Sequence, residues 1–318
     1  MNKIVVAGAG VFGTSIAERL AWNLDNDITI HTIELEVEAD INENHRNTKY
    51  FPTRFLNQRI RATSSYDVFE DADVIMMVIP SKAIVPFSEE MRKHTKKEPL
   101  VINLSKGMSD DGAFITEKIP FARAASMKGP SFAIEVLNGF PTAFTFGGRR
   151  DDYEWFKQNV LPHTGFSLDY SPDIRAVELM SILKNMYAIA IGLVSGRYNS
   201  PNVDFLVYTK AVNEMKGLLR LFECDGGTIF RYCGIGDLGL TSLNDLSRNR
   251  TFGMLIGKGF NYDEKNSATV VEGKRTIRIM GELVEKEGKA EDFPLIRALY
   301  RLIYEGSSIN EYITEALR

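Results

Sequence analysis

"KIVVAGAGVFGTSIAERL", residues 3 to 20, decides the fold. It opens on a continuous apolar run after one lysine, passes through a glycine-rich turn, and continues with Ile16, Leu20 and, just beyond the quotation, Leu24 at helical spacing. In a strand–turn–helix unit of this kind Gly8 permits the tight turn and Gly10 lets backbone approach a pyrophosphate. Gly13 lets helix and strand pack closely, with the first turn, Val11 and Phe12, facing the phosphate charge at the helix N-terminus. The same glycines can make a tight turn and nothing more. The strand before them, the helix after them and their place near the start of the chain favour dinucleotide binding.

Working outward, "DITIHTIE", "DADVIMMVIP" and "PLVINLSKG" are further strand-like apolar runs separated by helix-like segments. Runs apolar on both sides belong in a parallel sheet covered by helices, so the fold class is doubly wound α/β. Near Ser171 the texture changes to long amphipathic helical patterns: "DIRAVELMSILKNMYAIAIGL", "VDFLVYTKAVNEMKGLLRLF", "KRTIRIMGELVEKEG" and "PLIRALYRLIYEG". The turn-rich "DYSPD" is the expected boundary, with Ser171 or Asp173 capping the next helix. The expectation is an N-terminal Rossmann-type dinucleotide-binding domain over residues 1–170 and an all-α domain over 171–318.

The chain has 318 residues, enough for two domains, with 44% hydrophobic and 25% charged residues, a globular balance. A net charge of −4 offers no general attraction to nucleic acid or anionic membrane, so an anionic ligand must be held by local cations. Cys224 and Cys233 are too few for a disulfide framework or a zinc cluster, which suits a reducing cytoplasm. The N-terminus has no signal-peptide pattern, and no stretch is expected to reach membrane-spanning length. His31, His45, His94 and His163 lack metal-site spacing, so no metal is expected. Met76, Met77, Met180, Met186 and Met215 read as core.

Three features carry chemistry. Glu34, at the end of the second strand, can accept hydrogen bonds from the adenine ribose hydroxyls and would repel a 2′-phosphate, and Ile33 before it offers no positive charge. NAD is therefore favoured over NADP, although Glu34 and Glu36 can also be plain solvated charges. Lys184, with Asn185, interrupts the apolar "ELMSILKNMYAIAIGLVSG" and needs a reason to be there. On the helix alone, a lysine snorkelling to the surface is the simpler reading. "CGIGDLGLTSLNDLSRNRTFG" gathers Asp237, Thr241, Arg248, Asn249 and Arg250, an acid and guanidinium groups suited to a phosphate, or equally a structural ion-pair network.

Taken together, "GAGVFGTSIA", "NTKYFP", "IPSKA", "NLSKGM", "GPSFAIEV", "ELMSILKN", "GIGDLGLTSLNDLSRNR" and "VVEGKRT", in this order, resemble the NAD(P)-dependent glycerol-3-phosphate dehydrogenases along almost the whole chain. The resemblance implies hydride transfer between NAD(H) and dihydroxyacetone phosphate or sn-glycerol 3-phosphate, in a cytoplasmic enzyme supplying glycerol 3-phosphate for phospholipids. It makes Lys184 the proton-transferring group, Lys106 a lysine at the substrate and at the charge on the reacting oxygen, and Asp237 the acid that orients Lys184. Arg248 and Asn249 match the pair that clasps the substrate phosphate, with Ser247 and Thr241 close by and Asn185 completing the polar cluster. The "GPSFA" turn contributes Gly129 and Ser131 toward substrate and Ala133 toward cofactor; Glu272, Lys106 and Arg248 also match positions near the cofactor. A homodimer is implied, with the apolar helices after Pro294 available to it.

Two departures bear on the substrate. Asp204 stands where the family has a basic residue, and Lys128 precedes "GPSF" where a small polar residue is usual. Asp204 can weaken binding of a phosphorylated compound or point away harmlessly, while Lys128 can restore a positive charge. The alternatives are a dehydrogenase of another small phosphorylated hydroxy compound and a redox-sensing module that holds NAD without turning it over. Retention of Lys184, Lys106 and Asp237 together argues against the second.

Overall fold

A computed structural model of the chain describes residues 1–109, 112–260 and 272–318; the first two residues of "VVEGKRT" lie outside the described residues. The described chain divides into two compact units, Met1–Glu178 and Leu179–Arg318.

In the first unit β1 (Asn2–Ala7), α1 (Val11–Leu20), β2 (Asn26–His31), α2 (Leu35–Asn44), β3 (Arg61–Thr63), β4 (Val74–Met77), α3 (Ser81–His94) and β5 (Leu100–Asn103) alternate along the chain. They are followed by β6 (Ala124–Lys128), α4 (Ala133–Leu137), β7 (Thr142–Gly147), α5 (Arg150–Asn159) and β8 (Phe166–Ser171). The strands form one sheet in the order β3-β2-β1-β4-β5-β6-β7-β8. Successive residues of β1 serve opposite faces: Ile4 and Val6 join a core with Ile28, Ile30, Met76 and Ile102, while Val5 and Ala7 join another with Ile75, Met77 and Val101. Burial on both faces is why these strands read as unbroken apolar runs rather than alternating ones.

The sheet departs from the all-parallel expectation at β6 and β7, which pair antiparallel with Met127 opposite Phe146. Between them lies only the five-residue α4. The chain returns beside β6 through residues 129–141, so β7 runs against its neighbour.

The second unit is helical. It contains most of α6 (Ile174–Tyr198), then α7 (Pro201–Leu221), α8 (Asp237–Ser242), α9 (Arg248–Gly257), α10 (Glu272–Lys286), α11 (Pro294–Tyr304) and α12 (Ile309–Leu317). Of the two candidate caps, Asp173 holds the start of α6: its Oδ1 accepts from the Ala176 N–H at 2.9 Å, while Ser171 Oγ accepts from the Asp173 N–H. The division between units falls inside α6, after Glu178. Contrary to the expectation that no stretch reaches membrane-spanning length, α6 is long and apolar enough, with a mean hydropathy of 1.5 over its best window, yet that window is wholly buried in protein. Met180, Met186 and Met215 are buried. Leu295, Leu299, Tyr312 and Ile313 of α11 and α12 are buried too, while Tyr304 at the end of α11 is exposed.

Two glycine pairs, each spaced one helical turn apart, fix α6 against α9. A Cβ at Gly192 or Gly196 would collide with the carbonyl oxygens of Arg250 or Met254, and one at Gly253 or Gly257 with those of Ile189 or Leu193. The backbones therefore lie in direct contact, which sets Asn185 on α6 beside Asn249 on α9.

Buried Glu214 of α7 ties three helices, accepting from the Tyr187 hydroxyl at 3.0 Å and from the N–H groups of Leu295 at 2.6 Å and Ile296 at 3.3 Å in the first turn of α11. Burial pushes its carboxyl up from 4.5 to about 7, against these hydrogen bonds and the charge of Lys210. A folded-state value above the unfolded one means that stability is full below the lower value and falls as pH rises toward the upper one, by on the order of 3 kcal/mol. Denaturant melts of the wild type should weaken between about pH 4.5 and 7, and Glu214→Gln should lack most of that slope. A slope equally steep in the variant would remove Glu214 as its source.

Candidate functional site

The glycine turn leaves β1 with Gly8 at φ +116°, where a Cβ would also press on the Val78 carbonyl oxygen. A Cβ at Gly13 would collide with the Gly8 carbonyl oxygen, so β1 and α1 could not come this close with any other residue there. Gly10 differs: nothing lies within 4 Å of where its Cβ would be. That open space sits at the N-cap of α1, whose N-terminus has no side-chain cap and no acidic residue in its first turn. Helix N–H groups left without intrahelical partners beside open space are what a pyrophosphate requires, so the residues present fit a dinucleotide.

Glu34 follows β2 and stands at the N-cap position of α2, its side chain making no cap hydrogen bond. Its carboxylate is held by the Lys49 ammonium and by the Tyr50 hydroxyl, which donates at 3.0 Å. Burial and the neighbouring Glu34 push the Tyr50 phenol up, while hydrogen bonds to Glu34 and Glu36 raise Lys49 above its ordinary value. Ile33 and Leu35 flank Glu34 with exposed apolar side chains. Lys49 and Tyr50 belong to "NTKYFP", so this motif supplies the partners of Glu34, which its spacing in the sequence does not show. Lys106 lies just past β5, and no hydrogen bond or ion pair reaches its amine among the described residues. Gly129 and Ser131 follow β6, with the Ser131 hydroxyl donating to the Gly129 carbonyl at 3.0 Å, and Ala133 opens α4. Gly8 to Gly13, Glu34, Lys106 and Gly129 to Ala133 thus follow the carboxyl ends of β1, β2, β5 and β6, the edge where open α/β sheets bind ligands.

In the second unit Lys184 is 2% exposed and its ammonium is paired with Asp237 Oδ1, Asp237 being 1% exposed. The lysine does not snorkel. Thr241, one turn along α8, donates to the same Oδ1 at 3.4 Å. Asp237 Oδ2 is buried, and no hydrogen-bond donor reaches it among the described residues. An orphaned carboxylate oxygen costs about 1–3 kcal/mol or more, so a ligand hydroxyl that donated to it would relieve a standing penalty.

The neighbouring residue begins a second set of contacts. Asn185 Oδ1 accepts from Asn249 Nδ2 at 3.0 Å, its Nδ2 donates to Glu272 Oε2 at 3.3 Å, and Asn249 Oδ1 accepts from the Gly273 N–H at 3.1 Å. Ser247 caps α9 by accepting from the Arg250 N–H at 3.3 Å. Arg248, the first residue of α9, is exposed, and among the described residues it makes no ion pair. Asn185, Asn249 and Glu272 are therefore in contact, with Arg248 next in sequence at a helix N-terminus.

Arg250 and Asp204 resolve differently. The Arg250 guanidinium is buried, donating to the Ser242 carbonyl at 2.7 Å and to Ser195 Oγ at 3.0 Å, and Ser195 donates to Asp204 Oδ1 at 2.6 Å. Asp204 Oδ2 stands 3.9 Å from Arg250. This is the structural network that one reading of the segment allowed, and it engages the Asp204 charge. His31 is buried, with its ring near those of Tyr66, Phe69 and Phe87, and burial pulls its imidazole down.

The family model described as the NAD-dependent glycerol-3-phosphate dehydrogenase N-terminus matches residues 3–153, and that of the C-terminus matches 173–314. A glycerol-3-phosphate dehydrogenase [NAD(P)+] of Methanothermobacter thermautotrophicus is 31% identical, covering 98% of this chain and 96% of its own length. One of Bacillus cereus is 32% identical, covering 98% and 94%. The crystal structure of glycerol-3-phosphate dehydrogenase from Coxiella burnetii superposes with a TM-score of 0.87 at 25% identity over 99% of this chain and 98% of that one. Both family models matched in chain order, and relatives above 30% identity over nearly the full length, establish that this chain belongs to the NAD-dependent glycerol-3-phosphate dehydrogenase family.

Proposed function

We propose that the chain interconverts dihydroxyacetone phosphate and sn-glycerol 3-phosphate with NAD(H) as its redox partner. The observation that carries this reading is the buried Lys184–Asp237 pair with one carboxylate oxygen left without a donor. Asp237 Oδ1 holds the Lys184 ammonium, and Oδ2 accepts from the substrate's free hydroxyl. Lys184 Nζ gives its proton to the carbonyl oxygen during reduction and takes it back from the alcohol during oxidation. Lys106 opposes the negative charge that grows on that oxygen. Arg248, Asn249 and the N-terminus of α9, with Ser247 and Thr241 nearby, receive the phosphate. The glycine turn and Glu34 hold NADH, which when bound supplies the hydride that the carbonyl carbon accepts. Gly129, Ser131, Ala133 and Glu272 complete the substrate and cofactor contacts.

Asp204 was the ground for a different phosphorylated substrate. Its engagement by Ser195 and Arg250 supports the family substrate instead. The reading includes functional halves divided at 170/171, a cytoplasmic homodimer and a product destined for phospholipids. Exposed Phe205, Leu206, Phe230 and Tyr232, with Tyr304 at the end of α11, offer apolar surface for the dimer.

The test is NADH oxidation on adding dihydroxyacetone phosphate, compared with NADPH and with other phospho-ketones. Fastest turnover with NADH and dihydroxyacetone phosphate is expected; tight NADH binding without oxidation by any phospho-ketone would replace the enzyme by a sensor. Glu34→Gln should narrow the preference for NADH over NADPH by on the order of tenfold, because it removes the repelling charge and leaves the Lys49 cation for a 2′-phosphate. An unchanged ratio of the two KM values would take Glu34 out of cofactor choice.

A further inference from the structure

Lys128, the last residue of β6, is 3% exposed, and an ammonium that deep needs charge and hydrogen-bond partners. Its Nζ donates to the carbonyl oxygen of Asn103 at 2.8 Å and to that of Ser105 at 2.6 Å. These carbonyls lie where the sheet ladder stops: β5 and β6 pair in register up to Asn103 opposite Ser126, and β6 runs on while β5 becomes a loop. The side chain thus takes over where strand pairing ends, holding the loop backbone immediately before Lys106.

The surrounding groups brace the same loop. Asn103, fully buried, accepts from the Ser105 N–H at 2.9 Å and donates to Glu178 Oε1, while the Ser105 hydroxyl donates to the Ile79 carbonyl. Thr116 donates to Glu178 Oε2 through its hydroxyl at 3.0 Å and its N–H at 3.3 Å. Burial raises the Glu178 carboxyl, and the Lys128 charge opposes that rise. A polar cluster of this size inside an apolar sheet is expensive unless its geometry is used.

We propose that Lys128 is a positioning residue of the reaction: by holding the carbonyls of Asn103 and Ser105 it fixes the loop that presents the Lys106 amine. The proposal rests on the reading that Lys106 faces the substrate. At 3% exposure Lys128 acts through that loop rather than on the phosphate.

The experiment is a double-mutant cycle of K128M with K106A, read by kcat and KM for dihydroxyacetone phosphate, by NADH affinity from fluorescence, and by amide hydrogen exchange at residues 104–107. K128M should lose about 10²-fold in kcat/KM, the cost of a misplacement near 1 Å, chiefly in kcat and with NADH affinity unchanged. K106A/K128M should be no slower than K106A alone, because the two residues act as one unit. Exchange at 104–107 should quicken in K128M, and K128Q, which keeps a donor, should recover part of both losses. Losses that multiply in the double variant, or K128M with wild-type kinetics and exchange, would overturn the proposal. Should K128M not fold, K128Q carries the same cycle with smaller expected effects. A wild type that oxidises no NADH with dihydroxyacetone phosphate refutes the activity instead, and the exchange measurement then still decides whether Lys128 fixes the loop.

Discussion

Lys184→Ala is expected to lose turnover by about 10²- to 10⁴-fold, the range removed with a proton-transferring group, while binding NADH as the wild type does. The split follows from placement. Lys184 stands on α6 paired with Asp237, whereas the glycine turn and Glu34 belong to β1, α1 and β2. Removing the amine also leaves Asp237 buried without its counter-charge, which costs about 3–5 kcal/mol. Lower activity could then reflect less folded protein. Lys184→Met with Asp237→Asn removes both charges together and should restore much of the melting temperature without restoring turnover. Normal turnover in Lys184→Ala, or its recovery in the double variant, would reject the assigned role.

What the sequence revealed depended on how far apart the interacting residues lie. The turn from Gly8 to Gly13 was legible because strand, turn and helix are consecutive, and local sterics alone call for glycine at two of the three positions. The pairing of Lys184 with Asp237 was not legible from periodicity, which favoured a snorkelling lysine; only the family resemblance joined them. The antiparallel β6–β7 pair was not legible because an apolar run marks a buried strand without showing the direction of its neighbour. Lys49 at Glu34 was hidden because chain reversal after α2, not sequence spacing, brings it there. The sequence does carry one packing signal: Gly192 with Gly196 and Gly253 with Gly257 each repeat after four residues, the spacing of close helix contact. That contact is what sets Asn185 against Asn249.

Arg248→Ala should raise KM for dihydroxyacetone phosphate by about 10- to 100-fold, the worth of a hydrogen bond to a charged group, with a smaller effect on kcat. Arg248 and Arg250 are two residues apart, yet the structure gives them opposite tasks. Arg250 is buried and spent on Ser242, Ser195 and Asp204. Arg248 is exposed at the first position of α9, with no carboxylate partner among the described residues. A guanidinium without a counter-ion, beside helix N–H groups of like polarity, lowers its energy by taking up an anion. Arg250→Ala should therefore act on stability, and Arg248→Ala on substrate binding. Because a phosphate at an exposed arginine is screened by salt, the wild-type KM should rise with ionic strength, and that dependence should flatten in Arg248→Ala. A loss of NADH affinity alone, with KM for the phosphorylated ketone unchanged, would move Arg248 to the cofactor and leave the substrate phosphate without its proposed clasp.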